Sequence, residues 1–118
     1  MASNPSDTLP SNVPNLDSRG LNWTIFYTRF ELAAKAKGLW NHFDGSTPHP
    51  SIPASPSAVE QWDKDENTAL YLLSQRVPDS TLIMLRKRKT AAEQWSTLVA
   101  EYTRKSAYAQ TTMRHKFL

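Results

Sequence analysis

The chain has 118 residues, 39% hydrophobic and 21% charged, with four Trp, four Phe, four Tyr and no Cys, the composition of a globular chain with one modest core. The lack of Cys excludes a disulfide framework, thiol catalysis, iron–sulfur ligation and every Cys-based zinc site, a zinc knuckle included. No apolar run approaches the ~20 residues of a membrane span, and MASNPSDTLP has neither the charged nor the apolar region of a signal peptide, so a soluble, intracellular chain is expected.

The net charge of +3 is unevenly spread: residues 1–57 carry four cations and four anions, residues 58–85 two against five, and residues 86–118 eight against two. An acidic middle and a basic end suit either an anionic partner or a second copy of the chain.

In chain order, residues 1–15 combine Ser, Asn, Asp and Pro with few aliphatic side chains and read as a flexible N-terminal arm. Asn22 then stands as an N-cap before Trp23, Phe26, Tyr27, Phe30 and Ala33/Ala34 at helical spacing, and Lys37-Gly38 ends this first helix. Leu39, Trp40 and Phe43, closed by Asp44-Gly45, form a short apolar hook. STPHPSIPASPS follows with four Pro, a composition that supports neither helix nor central strand and predicts an extended surface loop.

Ser57-Ala58-Val59-Glu60 has the form of a capping box and predicts the start of a second helix, with Val59, Trp62, Ala69, Leu70, Leu73 and Val77 inward and Pro78 as its stop. Asp79 is placed to cap a short third helix, Ser80 to about Lys87. Thr90-Ala91-Ala92-Glu93 is a second capping box opening a fourth helix, with Trp95, Leu98, Val99 and Tyr102 on one face. Ser106 is read as the cap of a fifth, Ala107 to Leu118, still helical where the sequence stops, with Met113, Phe117 and Leu118 without an assigned contact. No run alternates with period two, so the fold class is all-α: a small bundle of about five helices with a Pro-rich loop between helices one and two.

Because the Trp residues lie on the apolar faces of amphipathic segments, they are read as structural, not as base-stacking platforms, which would need exposure on a basic face. The expected core is Trp23, Phe26, Phe30, Trp40, Trp62, Leu73, Trp95, Leu98 and Tyr102. Arg86-Lys87-Arg88-Lys89 ends the third helix, where positive charge also complements the helix dipole. These four, with Arg104 and Lys105 and further Arg114 and Lys116, are either a solvated helix end, a nuclear-import signal or a phosphate-contacting patch without sequence preference.

Catalysis finds no constellation. His42, His49 and His115 are scattered, and Glu60, Asp63, Asp65 and Glu66 point several ways around a helix, which reads as a solvated face. There is no Gly-rich phosphate loop and no nucleophile elbow. No enzyme activity, cofactor, metal or small-molecule substrate is expected.

The order of the anchors is more telling than their types. Gly20-Leu21-Asn22-Trp23-x-x-Phe26, then Lys37-Gly38-Leu39-Trp40 closing on Asp44-Gly45, a Pro-rich gap, Trp62 with Asp65 and Ala69, then Ala91-x-Glu93-x-Trp95-x-x-Leu98-x-x-x-Tyr102 and Ser106 together resemble the N-terminal, capsid-like part of the Gag polyprotein of copia-type LTR retrotransposons. The resemblance runs from about Leu16 to the end and makes residues 16–118 one helical capsid-like domain, cut short at its C-terminus relative to a full Gag, which continues through a second helical portion and often a zinc knuckle. It implies a structural protein without an active site whose copies associate into a shell around the element's RNA. The partners expected are therefore the chain itself and, non-specifically, RNA, with no membrane, in the cytoplasm or, through Arg86–Lys89, the nucleus. Two alternatives stay open: a basic module that binds RNA or DNA through residues 86–118, and a domesticated helical adaptor for another protein.

Overall fold

The computed structural model describes residues 7–51 and 55–116, with side chains described as far as Thr111. Among these residues there are five helices and no strand: α1 Trp23–Ala36, α2 Trp40–Asp44, α3 Pro56–Ser74, α4 Asp79–Leu85 and α5 Ala91–Lys116. The all-α class is as expected, but the five helices are divided differently. The apolar hook is itself a helix, and the predicted fourth and fifth helices are one. Ser106 does not interrupt α5, because no Gly or Pro stands between Ala91 and Lys116 to break its hydrogen-bond ladder.

α1 buries Trp23, Phe26, Phe30, Ala33 and Ala34, one face of a 3.6-residue repeat. It ends in a Schellman motif: Gly38, at φ +73°, donates to the Lys35 carbonyl at 3.0 Å, and Leu39 donates to that of Ala34 at 2.9 Å. Leu39 is buried at the turn, which directs α2 back beneath α1 and against α5. Asn22 holds the N-cap position without capping α1. Its Oδ1 instead accepts from the Asp17 N–H and its Nδ2 donates to the Asn15 carbonyl, both at 2.9 Å, so the residue organises the loop that precedes the helix.

α3 starts earlier than the Ser57 capping box predicted. Ser55 is the cap, accepting from the Ala58 N–H at 3.1 Å. Pro56 decides this: its fixed φ suits the first helical position and it holds the preceding residue in the extended conformation of an N-cap. At α4 the N-cap is Pro78, and Asp79 is the first helical residue. Thr90 caps α5 as expected, its hydroxyl accepting from the Glu93 N–H and donating to the Glu93 carboxylate, each at 3.1 Å.

From Asp7 onward, the segment expected as a flexible arm is packed onto the bundle; residues 1–6 lie outside the described residues. Leu9 and Val13 are 3% and 1% exposed. They are held by polar side chains just beyond α3: Gln75 accepts from the Leu9 N–H at 3.1 Å and donates to the Asp7 carbonyl at 2.6 Å, and Arg76 Nε donates to the Val13 carbonyl at 3.1 Å. The strap then crosses α5 at Gly20, where a Cβ would stand 3.2 Å from Lys105 Cβ and from the Ser106 amide nitrogen; only Gly, at φ +80°, permits that approach.

The core is aromatic and centred on Trp95. Its ring lies 5.1 Å from Phe30, stacked at 17°, with Tyr27, Trp40, Phe43 and Trp23 within 6.2 Å. Tyr102 closes the far end against Trp23, and its hydroxyl, 2.7 Å from that of Thr81, ties α4 to α5. Every buried side-chain polar atom among the described residues has a hydrogen-bond partner.

Candidate functional site

The residues expected in the core fall into two environments. Trp23, Phe26, Phe30, Leu73, Trp95, Leu98 and Tyr102 are buried, and Trp40 is half-buried against them. Trp62 stands apart. It is half-buried outside the main cluster, between His42 (ring centroids 5.2 Å apart) and His49 (4.9 Å), and its indole N–H donates to the Thr47 carbonyl at 2.8 Å. Its ring covers the start of the Pro-rich loop on α3 and is not one of four Trp sharing a single core.

The acidic cluster also divides. Glu60 and Asp63 are exposed; Asp65 is half-buried and accepts from Gln61 at 2.9 Å. Glu66 is buried, contrary to the solvated face expected of the group. One of its oxygens is 2.8 Å from His42 Nδ1 and the other accepts from the Ala91 N–H at 2.7 Å. A carboxylate from α3 thus satisfies an orphan amide at the first position of α5, where the helix dipole favours negative charge, and holds α2 at the same point. Positions 62, 66, 69 and 73 form one helical stripe, so a Glu in the apolar register was the signal for this node. It is a structural tie: both carboxylate oxygens are occupied by groups of the fold, and the described residues contain no group of three or more metal-ligating side chains. His49 and Asp63 approach to 3.6 Å at the surface. At the α2 turn, the Ser46 hydroxyl and N–H hold the Asp44 carboxyl below its ordinary range.

The expected basic residues separate by the company they keep. Arg86, Lys87, Arg88 and Lys89 are all exposed at the joint between α4 and α5. That joint is ordered through its backbone: the Arg88 N–H donates to the Leu85 carbonyl at 2.9 Å, and Gln94 Nε2 donates to the Arg88 carbonyl at 3.2 Å. None of the four side chains has a hydrogen-bond or ion-pair partner among the described residues. Arg88 and Arg104 line one shallow depression with Met84, Thr97 and Glu101. Arg104, however, is ion-paired to Glu101, and Lys105 donates to the Ser18 carbonyl at 3.0 Å while lying 4.9 Å above the Tyr102 ring. Lys105 therefore pins the N-terminal strap to α5. The side chains of Met113, Arg114, His115, Lys116, Phe117 and Leu118 lie outside the described residues.

The outer surface also carries apolar side chains with no cover. Leu21, Ile25 and Leu32 on the α1 side are 51%, 42% and 61% exposed, with Tyr71, Ile83 and Tyr108 exposed singly on α3, α4 and α5. No helix is long and apolar enough to cross a membrane among the described residues.

The family model of the gag-polypeptide of LTR copia-type matches residues 30–118, well over half of the chain, and it begins inside α1. No curated protein and no solved structure matches. The chain belongs to the copia-type gag-polypeptide family and is a structural Gag-like domain.

Proposed function

From that membership we infer that the domain works by association: copies assemble through their outer surfaces into particle-type structures that enclose element RNA. The family match over residues 30–118 is the observation that carries this reading. The geometry supports it in what it leaves available. Polar groups inside the fold are consumed by the fold, Glu66 and His42 by each other and Thr81 by Tyr102. The exposed groups are those that attract other macromolecules, namely uncovered apolar side chains and an unpaired cationic joint.

RNA contact is the second part of the proposal and rests on Arg86–Lys89, four exposed cationic side chains that form no ion pair among the described residues. Arg104 and Lys105 contribute less, being engaged with Glu101 and Ser18. Binding through such a patch is sequence-independent and weakens linearly in log salt. The place of action we propose is the cytoplasm; nuclear import would use the same four cations.

Light scattering over a range of protein concentrations, with and without RNA, tests the reading. Oligomers that grow with concentration, and grow further with RNA at low salt, are expected. RNA binding by a strictly monomeric chain would favour the basic-module alternative, and a monomer without RNA affinity would leave the adaptor.

A further inference from the structure

We propose that the RNA site continues from the cationic joint along α5 to Tyr108, and that it takes a single-stranded stretch of RNA, one base of which stacks on the Tyr108 ring. The proposal deepens the RNA reading above and rests on it.

Tyr108 is the most exposed large apolar side chain among the described residues, at 75%. Neither its ring nor its hydroxyl has a partner among them. Its surroundings on α5 are polar: Thr103, Arg104, Gln110 and Thr111 are all exposed, and at 100° per residue Arg104 and Thr111 share its face of the helix. A contact with an apolar protein surface needs further large apolar side chains beside the ring, and there are none among the described residues. A lone ring with a cation next to it instead matches a base and its phosphate, the first stacked and the second paired.

Positive charge is continuous from the joint to the ring. Arg88, in the joint, and Arg104 line the same depression with Ser96 and Thr97, and Arg104 stands about 6 Å before Tyr108 along α5. Arg104 is paired with Glu101, yet its side chain is 70% exposed. A guanidinium has five N–H donors, so the pairing leaves others for a phosphate oxygen.

Tyr71 supplies the contrast within the same molecule. It is 56% exposed on α3, but that helix carries Glu60, Asp63, Asp65 and Glu66 against the single cation Lys64. Charge of that sign repels the backbone that would bring a base to the ring.

Stacking and charge separate by strandedness and by salt. A paired duplex keeps its base faces inside the helix and has none to offer, whereas an unpaired strand can splay them out. A stacked base releases no counterion, so losing it lowers the affinity without changing the slope of log affinity against log salt; losing a phosphate contact changes the slope.

Anisotropy of end-labelled RNA, with the full chain at several salt concentrations, tests this on an unstructured single strand and on a fully paired RNA duplex of the same length. Tyr108→Ala should weaken single-strand binding about tenfold, with the salt slope and the duplex affinity unchanged. Tyr108→Phe and Tyr71→Ala should bind like wild type, and Arg88→Ala should make the single-strand slope shallower by about 0.7. All the substituted side chains are exposed, so a loss of binding is not a loss of fold. The stacking site is overturned, and the RNA reading left intact, if Tyr108→Ala binds the single strand like wild type, loses as much on the duplex, or is matched by Tyr108→Phe or Tyr71→Ala. A slope untouched by Arg88→Ala likewise overturns the path from the joint to the ring. A wild-type chain that retains neither RNA at low salt overturns both.

Discussion

Trp95 and Trp62 occupy equivalent places in the sequence, each on the apolar face of an amphipathic helix behind a capping motif, yet they do different work. Trp95 lies within ring-contact distance of five aromatic side chains from α1 and α2, at the point where three helices meet. Trp62 touches two histidines and a loop carbonyl, and keeps part of its ring in water. The difference is one of neighbours. Near the N-terminal end of α3 the indole is covered by His42 of α2 and by His49 and the Thr47 carbonyl at the start of the Pro-rich loop. An apolar helical position thus predicts contact with something, and the topology decides whether that is the core or a loop.

The largest effect expected is that of Trp95→Ala, a loss of roughly 3–5 kcal/mol in urea unfolding, enough to unfold a domain of this size. An unchanged midpoint would remove the ring from the core. Glu66→Ala should follow, at about 3 kcal/mol, because it strands the Ala91 amide and His42 together in the interior. If this variant melts like wild type, the carboxylate is not the tie between α2, α3 and α5. Trp62→Phe keeps most of the apolar contact and removes one hydrogen bond, for about 1 kcal/mol. A loss as large as that of Trp95→Ala would erase the distinction between the two rings. The smallest effect belongs to Asp44. Its carboxyl is held below the ordinary range by Ser46, so its contribution to stability is present above the ordinary carboxylate pKa and is lost as the pH falls through the lower, folded-state value. Asp44→Asn should remove that part of the acid sensitivity, seen as melting temperatures that depend less on pH below the ordinary carboxylate range; an identical pH profile would show that the Ser46 contact is not formed in solution.

Much of this was legible in the residues. The all-α class, the aromatic anchors of α1 and α5, the Thr90 cap and the turn at Gly38 are local signals, written within a few residues of where they act. What escaped depends on partners distant in sequence. Leu9 and Val13 look isolated in a polar stretch, and only Gln75 and Arg76, more than sixty residues away, make them part of the core. The capping-box pattern at Ser57 lost to Ser55 because Pro56 fixes the backbone more strongly than a hydroxyl and a carboxylate can. Composition groups Glu66 with its acidic neighbours, whereas its register places it with Trp62 and Ala69. The basic residues could be counted but not sorted, since whether a cation is free turns on the position of Glu101 and of the Ser18 carbonyl.

An inward-facing aromatic core leaves the outer faces exposed, and the role proposed for those faces is to bind other copies. Sedimentation velocity of the wild-type chain over a wide range of concentrations tests that most directly. The weight-average sedimentation coefficient should rise steadily above the monomer value, whereas a single monomeric boundary at every concentration would contradict it.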